Sequence, residues 1–120
     1  MYRERMETLK EWKVSKNRKP LIIRGARQVG KTWLMKEFGK LYYEKCAYIN
    51  FDNNSRMDIL FNEEFDLNRI IQGLKIESGI NIEPENTLII FDEIQETPKA
   101  LKTLKYFYEN ANEYHIVAAG

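Results

Sequence analysis

Residues 25–32 read Gly25-Ala26-Arg27-Gln28-Val29-Gly30-Lys31-Thr32 and fit the pattern G-x-x-x-x-G-K-[ST]. The apolar run Leu21-Ile22-Ile23 precedes them, and an amphipathic run begins at Trp33. Strand, glycine-bearing loop and helix, in that order, form the context in which the pattern has physical meaning. Successive backbone N–H groups of such a loop turn inward, and the helix that follows aims its positive end at the same spot. A polyphosphate suits that geometry. Lys31 supplies a flexible point charge for the β- and γ-phosphates, and the Thr32 hydroxyl takes a place on Mg²⁺. Gly25, Ala26, Arg27, Gln28, Val29, Gly30, Lys31, Thr32 and the backbone N–H of Trp33 are the expected binding set for a nucleoside triphosphate.

Outward from this loop the chain alternates strands and helices. Upstream, Tyr2, Met6, Leu9 and Trp12 recur at helical spacing over Tyr2–Val14. A polar link follows over residues 15–19, and Leu21–Arg24 reads as a buried strand. Downstream, Lys31–Tyr43 reads as a helix with Leu34, Phe38 and Leu41 on one face, weakened a little by Gly39. Cys46–Asp52 alternates with period two, as a strand does. Asn53-Asn54-Ser55 caps a short helix over Arg56–Phe61, and Asp66 caps another over Leu67–Glu77, with Phe65 and Ile70 placed as a hydrophobic staple. Ser78-Gly79 stops that helix, and Ile80–Asn86 reads as a loop. Leu88-Ile89-Ile90-Phe91 is the strongest strand, Thr97-Pro98 opens a helix to Ala111, and His115–Ala119 is a last short strand. In the Pro98 helix, Leu101, Leu104 and Tyr108 are expected to face inward, with Phe107 beside them. The alternation predicts a parallel α/β sheet with helices on both faces, which binds ligands beyond the carboxyl ends of its strands.

At 120 residues the chain is one domain at most, and 43% hydrophobic with 31% charged residues excludes a disordered class. No apolar stretch is long enough to span a bilayer and no leader pattern opens the sequence, so no membrane partner is expected. A single cysteine, Cys46, fits a reducing cytoplasm. The net charge of +1 conceals an asymmetry: residues 1–45 carry thirteen Lys+Arg against five Asp+Glu, and the remainder six against thirteen. The basic first third either attracts nucleic acid or surrounds a phosphate site and a solvated helix, and its scattered placement favours the second reading.

Leu88-Ile89-Ile90-Phe91-Asp92-Glu93 delivers carboxylates from the end of a buried strand. Asp92 is the candidate ligand for Mg²⁺, through a water, and Glu93 the base for the attacking water. A glutamate after the metal-binding aspartate suits a hydrolytic enzyme better than a small-molecule kinase. No N-K-x-D guanine-recognition element occurs, so ATP is the expected nucleotide.

Arg24–Thr32, Phe91-Asp92-Glu93-Ile94-Gln95 and the helix bearing Pro98, Leu101, Lys105, Tyr106 and Phe107 together resemble a family of bacterial and archaeal AAA+-related ATPases. The resemblance runs from Trp12 to Gly120. It implies a P-loop NTPase of the additional-strand type: a three-layer sandwich with a mainly parallel sheet, in which the last strand lies between the first and the Asp92 strand. It also implies that residues 1–120 are the N-terminal part of the ATPase domain, with 1–19 its leading helix and linker. The domain is then truncated after the fourth core strand, Leu21–Arg24 becomes a sheet edge, and a polar sensor, an arginine finger, a fifth strand, a lid and a C-terminal domain lie elsewhere. Turnover by this stretch alone is expected to be slow or absent, and a protein partner or homo-oligomer is expected to complete the machine.

Several residues carry two readings. Arg27 either neutralises phosphate or faces solvent. The Trp33 ring is read as core packing in preference to an adenine platform, and Gln95 as a γ-phosphate contact or a structural one. His115 has no Cys/His cluster near it in sequence, so no metal role is expected. Two functional classes remain: an ATPase using Lys31 and Glu93, and an ATP-dependent switch with little hydrolysis.

Overall fold

Parallel strands are buried on both faces, and two runs here have the composition for it. In the computed structural model, which describes residues 2–24 and 30–120, Thr87–Asp92 (β3) and His115–Ala119 (β4) are buried at every position. They form the middle of the sheet, flanked by Leu21–Ile23 (β1) and Lys45–Asn50 (β2). The order is β1-β4-β3-β2, and every adjacent pair is parallel. The last strand therefore lies between the first and the Asp92 strand, and β1 stands at the edge of this sheet, as the resemblance implies. β1 ends at Ile23 and β2 at Asn50, each short of the predicted end. The Phe51 N–H still donates to the Asp92 carbonyl at 2.9 Å, one further rung beyond β2.

The helices among the described residues are Tyr2–Lys13 (α1), Gly30–Tyr42 (α2), Ser55–Asn62 (α3), Leu67–Ser78 (α4) and Pro98–Asn110 (α5), with a 3₁₀ turn at Ile94–Glu96. Alternation along the central strands divides them into two layers. Ile89, Phe91, Ile116 and Ala118 face α3, α4 and α5, while Leu88, Ile90, Val117 and Ala119 face α1 and α2. The result is a three-layer α/β sandwich. Phe51, Phe61 and Phe91 form the centre of the first interface, with ring centroids 5.1–5.9 Å apart.

Local sequence explains the ends of several helices. Asn54 caps α3 by accepting from the Met57 N–H, and Asp66 caps α4 by accepting from the Arg69 N–H. Gly79 adopts φ 73° and returns its N–H to the Lys75 carbonyl, a left-handed stop that glycine takes without a Cβ penalty. Thr97 precedes Pro98 as predicted, but its hydroxyl donates to Asp58 Oδ1 at 2.7 Å and does not cap α5. The polar link after α1 is tied down as well: Trp12 Nε1 donates to the Lys19 carbonyl and Arg18 Nη2 to the Asn112 carbonyl, each at 2.6 Å.

Three predicted inward positions point elsewhere. On α2 the buried residues are Lys31, Leu34, Met35, Phe38 and Gly39, whereas Leu41 is 51% and Trp33 52% exposed. The buried stripe is centred on Met35 and Phe38, so Leu41 falls on its flank and Trp33 on the outer face. A Cβ on Gly39 would lie 2.8 Å from Cys46 Sγ and 3.3 Å from Leu88 Cδ2, so the helix lies close against the sheet here. On α5 the stripe is Ala100, Thr103, Leu104 and Phe107, and Leu101 is exposed. That buried face is rotated away from Leu101, and Tyr108 lies half-buried at its margin. On α1, Met6 and Leu9 are buried as expected, and the side chain of Tyr2 lies outside the described set.

Candidate functional site

The first turn of α2 and the carboxyl end of β3 bring together residues of the two sequence stretches singled out above. Gly25, Ala26, Arg27, Gln28 and Val29 lie outside the described residues, so the site is built here from α2 onward. Gly30 opens α2, which carries Lys31, Thr32 and Trp33 in its first turn. Lys31 is buried, at 8% exposure.

Asp92 ends β3 and is 5% exposed. Its carboxylate is met from three directions. Thr32 Oγ1 donates to Oδ2 at 2.6 Å, across 60 positions of sequence. The Tyr48 hydroxyl, from β2, donates to the same Oδ2 at 2.7 Å. The Glu93 backbone N–H donates to Oδ1 at 3.0 Å. A buried carboxylate needs such partners, because desolvation without them is costly. Burial, then the hydrogen bond and charge of Asp92, push the Tyr48 pKa well above the usual phenol value, so the phenol stays a donor at any working pH.

Glu93 sits at φ 56°, ψ 43°, in the left-handed region that a non-glycine residue occupies at a cost of about 1–3 kcal/mol. That backbone turn begins the 3₁₀ segment. Gln95 Nε2 donates to Glu93 Oε1 at 2.7 Å. Gln95 itself lies against the end of β4, for a Cβ on Gly120 would collide with its side-chain oxygen and lie 3.1 Å from its backbone nitrogen. Thr32, Asp92 and Glu93 thus fall together at one end of the sheet, with Lys31 beside Thr32 in the first turn of α2, and Gln95 contacts Glu93. The Trp33 ring lies on the outer face of α2.

A family model described as an AAA domain matches residues 17–120, most of the chain. The chain belongs to the AAA domain family. Membership places it with the AAA-type P-loop ATPases and points to a nucleotide-binding, ATPase-like function. Comparison with curated proteins gave no match. Comparison with solved structures gave none either.

Within this AAA domain, sequence reading missed Tyr48. Period-two alternation places Tyr48 opposite to Ala47 and Ile49 but says nothing of where its hydroxyl ends. The parallel register sets Tyr48 beside Ile90, two residues before Asp92, and a phenol reaching toward the strand's carboxyl end arrives at the carboxylate. Part of the basic excess is also used internally. Lys13, Lys19 and Lys36 lie over the rings of Tyr43, Tyr108 and Tyr48 at 4.6, 5.4 and 4.1 Å, and Arg18 binds two backbone carbonyls. Among the described residues no helix is long and apolar enough to cross a membrane.

Proposed function

We propose that this AAA domain binds ATP with Mg²⁺ and hydrolyses the γ-phosphate. The observation that carries the reading is the 2.6 Å bond between Thr32 and Asp92, which joins the helix after the glycine loop to the acidic end of β3. The donor chemistry fits Mg²⁺. A hydroxyl oxygen and a carboxylate are hard ligands, and Mg²⁺ takes one or two such protein groups while keeping waters and substrate phosphates. Accordingly, no group of three or more His, Cys, Asp or Glu able to hold a metal occurs among the described residues, and none is required. Thr32 and Asp92 would hold the ion, whose role is to neutralise charge on the phosphates.

The chain's own residues supply the rest. Lys31 places its charge at the N-terminus of α2, where the helix dipole already favours an anion. The Glu93 carboxylate retains an oxygen beyond the one Gln95 binds and serves as acceptor for the proton of the attacking water. A second reading, an ATP-dependent switch with little hydrolysis, draws on the same Glu93–Gln95 bond, which ties down the base.

Two variants test the proposal. Lys31→Ala should abolish binding of a fluorescent ATP analogue, and survival of binding at full strength removes the phosphate-loop assignment. Glu93→Gln should lower steady-state ATP hydrolysis by about 10²–10⁴-fold with binding retained. Tight binding with negligible turnover in both the intact full-length protein and its Glu93→Gln variant establishes the switch instead.

A further inference from the structure

Tyr48 occupies a place that neither the motif pattern nor the strand pattern assigns. Its hydroxyl and that of Thr32 meet on one atom, Asp92 Oδ2, at 2.7 and 2.6 Å. A carboxylate oxygen has two lone-pair positions, so Oδ2 is filled. Oδ1 accepts one backbone N–H and keeps one position open. Thr32 is different in kind from Tyr48. Its hydroxyl has one proton to give and two lone pairs to offer, so it can hold a cation while still donating to Asp92. Tyr48 stands on β2, beside β3, and reaches the carboxylate along the sheet face that α2 covers.

The Tyr48 ring is itself held. The Lys36 ammonium lies 4.1 Å from the ring centroid, one turn beyond Thr32 on the same helix. A cation on the ring face draws electron density from the phenol and strengthens its O–H as a donor. α2 therefore acts on Asp92 twice, directly through Thr32 and indirectly through Lys36 and Tyr48.

From this geometry we infer that Tyr48 is a positioning residue for the divalent cation: it fixes the rotation of the Asp92 carboxylate and fills Oδ2, leaving Oδ1 to accept from the cation's hydration shell. The inference rests on the Mg²⁺-ATP reading given above. It deepens that reading by adding a group that touches neither nucleotide nor metal. Partners in this position typically alter metal affinity by about 10–100-fold when removed.

The test is Tyr48→Phe, which keeps the ring and the Lys36 contact and deletes only the hydroxyl. Binding of a fluorescent ATP analogue is titrated at fixed concentration against Mg²⁺, and again in EDTA with no divalent ion. The half-saturating Mg²⁺ concentration should rise about 10-fold, with EDTA binding unchanged within about twofold by the same reasoning, since nothing in the loop is touched. An unchanged Mg²⁺ requirement in the variant overturns the inference. So does an equal loss of binding with and without Mg²⁺, because that is the signature of general damage to the fold. Lys36→Met provides the second arm: it removes the cation from the ring, leaves every Asp92 donor in place, and should shift the Mg²⁺ requirement in the same direction by a smaller factor. Failure of the Mg²⁺-ATP reading is seen separately, in the parent chain. If the parent binds no nucleotide, or binds it without regard to Mg²⁺, both readings fall together.

Discussion

Gly39→Ala is expected to destabilise this domain although it places a better helix former inside a helix. In an exposed helix interior the change is worth about 1 kcal/mol in favour of alanine. At Gly39 the new methyl would stand 2.8 Å from Cys46 Sγ, 3.2 Å from Cys46 Cβ and 3.3 Å from Leu88 Cδ2. All three atoms belong to the sheet, and Leu88 is fully buried in β3. Overpacking of this kind costs about 1–3 kcal/mol. The contact outweighs the propensity, leaving a net loss of about 1 kcal/mol, or roughly 4 °C in thermal midpoint for a chain of this size. Urea denaturation read by circular dichroism measures the loss, and a double-mutant cycle assigns it. Cys46→Ala removes the nearest atom, so Gly39→Ala in that background should be neutral or mildly stabilising, with a coupling of about 1 kcal/mol. Because α2 also carries Lys31 and Thr32, the outward shift in the single variant should weaken nucleotide binding in parallel. A stabilised Gly39→Ala, or the same cost with and without the Cys46 sulfur, refutes the packing argument.

Two further outcomes follow from buried and strained groups. Burial, with Arg18 and Lys13 nearby, lowers the His115 pKa from 6.5 to about 4, and its Nδ1 shares a 2.6 Å hydrogen bond with the Tyr43 hydroxyl. The unfolded chain takes up this proton below pH 6.5 and the folded chain only near 4, so this stability is present at neutral pH and lost as pH falls through that window, by about 2 kcal/mol at pH 5. His115→Gln should flatten the fall in urea midpoint between pH 7 and pH 5, and equal slopes in the two proteins refute the assignment. Glu93→Gly should abolish hydrolysis yet cost less than about 1 kcal/mol of stability, because glycine at φ 56° relieves backbone strain that glutamate bears; a larger loss by thermal denaturation shows that the turn was not strained.

The sheet was the most legible part of the molecule, for a reason specific to its middle strands. Leu88–Phe91 and Ile116–Ala119 have no polar side chain to place on either face, and only a strand covered on both sides accommodates that. Helix existence was legible from spacing, whereas helix rotation was not. Leu41 and Leu101 are apolar and lie at helical spacing from buried residues, yet both are exposed. On α2 the close approach of Gly39 to Cys46 and Leu88 accompanies that rotation, and hydrophobic pattern gives such a small residue little weight. The Trp33 ring followed the same rotation of α2 outward. In the site, Thr32, Asp92 and Glu93 were readable because each is fixed by backbone: the first turn of a helix and the end of a strand. Tyr48 and the Gln95–Glu93 pair were not, because their roles depend on where the tip of a long side chain ends.

Asp92 shows why fold and site are hard to separate in this domain. Its carboxylate is buried, and none of the ion pairs among the described residues includes it. Its charge is instead met by donors from α2, from β2 and from the backbone of the residue that follows it. Leaving a buried acceptor short of one donor costs about 1–3 kcal/mol, and more when the acceptor is charged. The folded state is thus selected partly for bringing α2 and β2 to Asp92, and that same convergence orients the oxygens a divalent cation would use. A cation of Lys or Arg in this place would satisfy the charge equally well and would exclude Mg²⁺ by repulsion. Neutral hydroxyls satisfy it while leaving the net negative charge in place. The choice of Thr32 and Tyr48 as partners is therefore informative about function in a way that burial alone is not: it stabilises a buried carboxylate without discharging it.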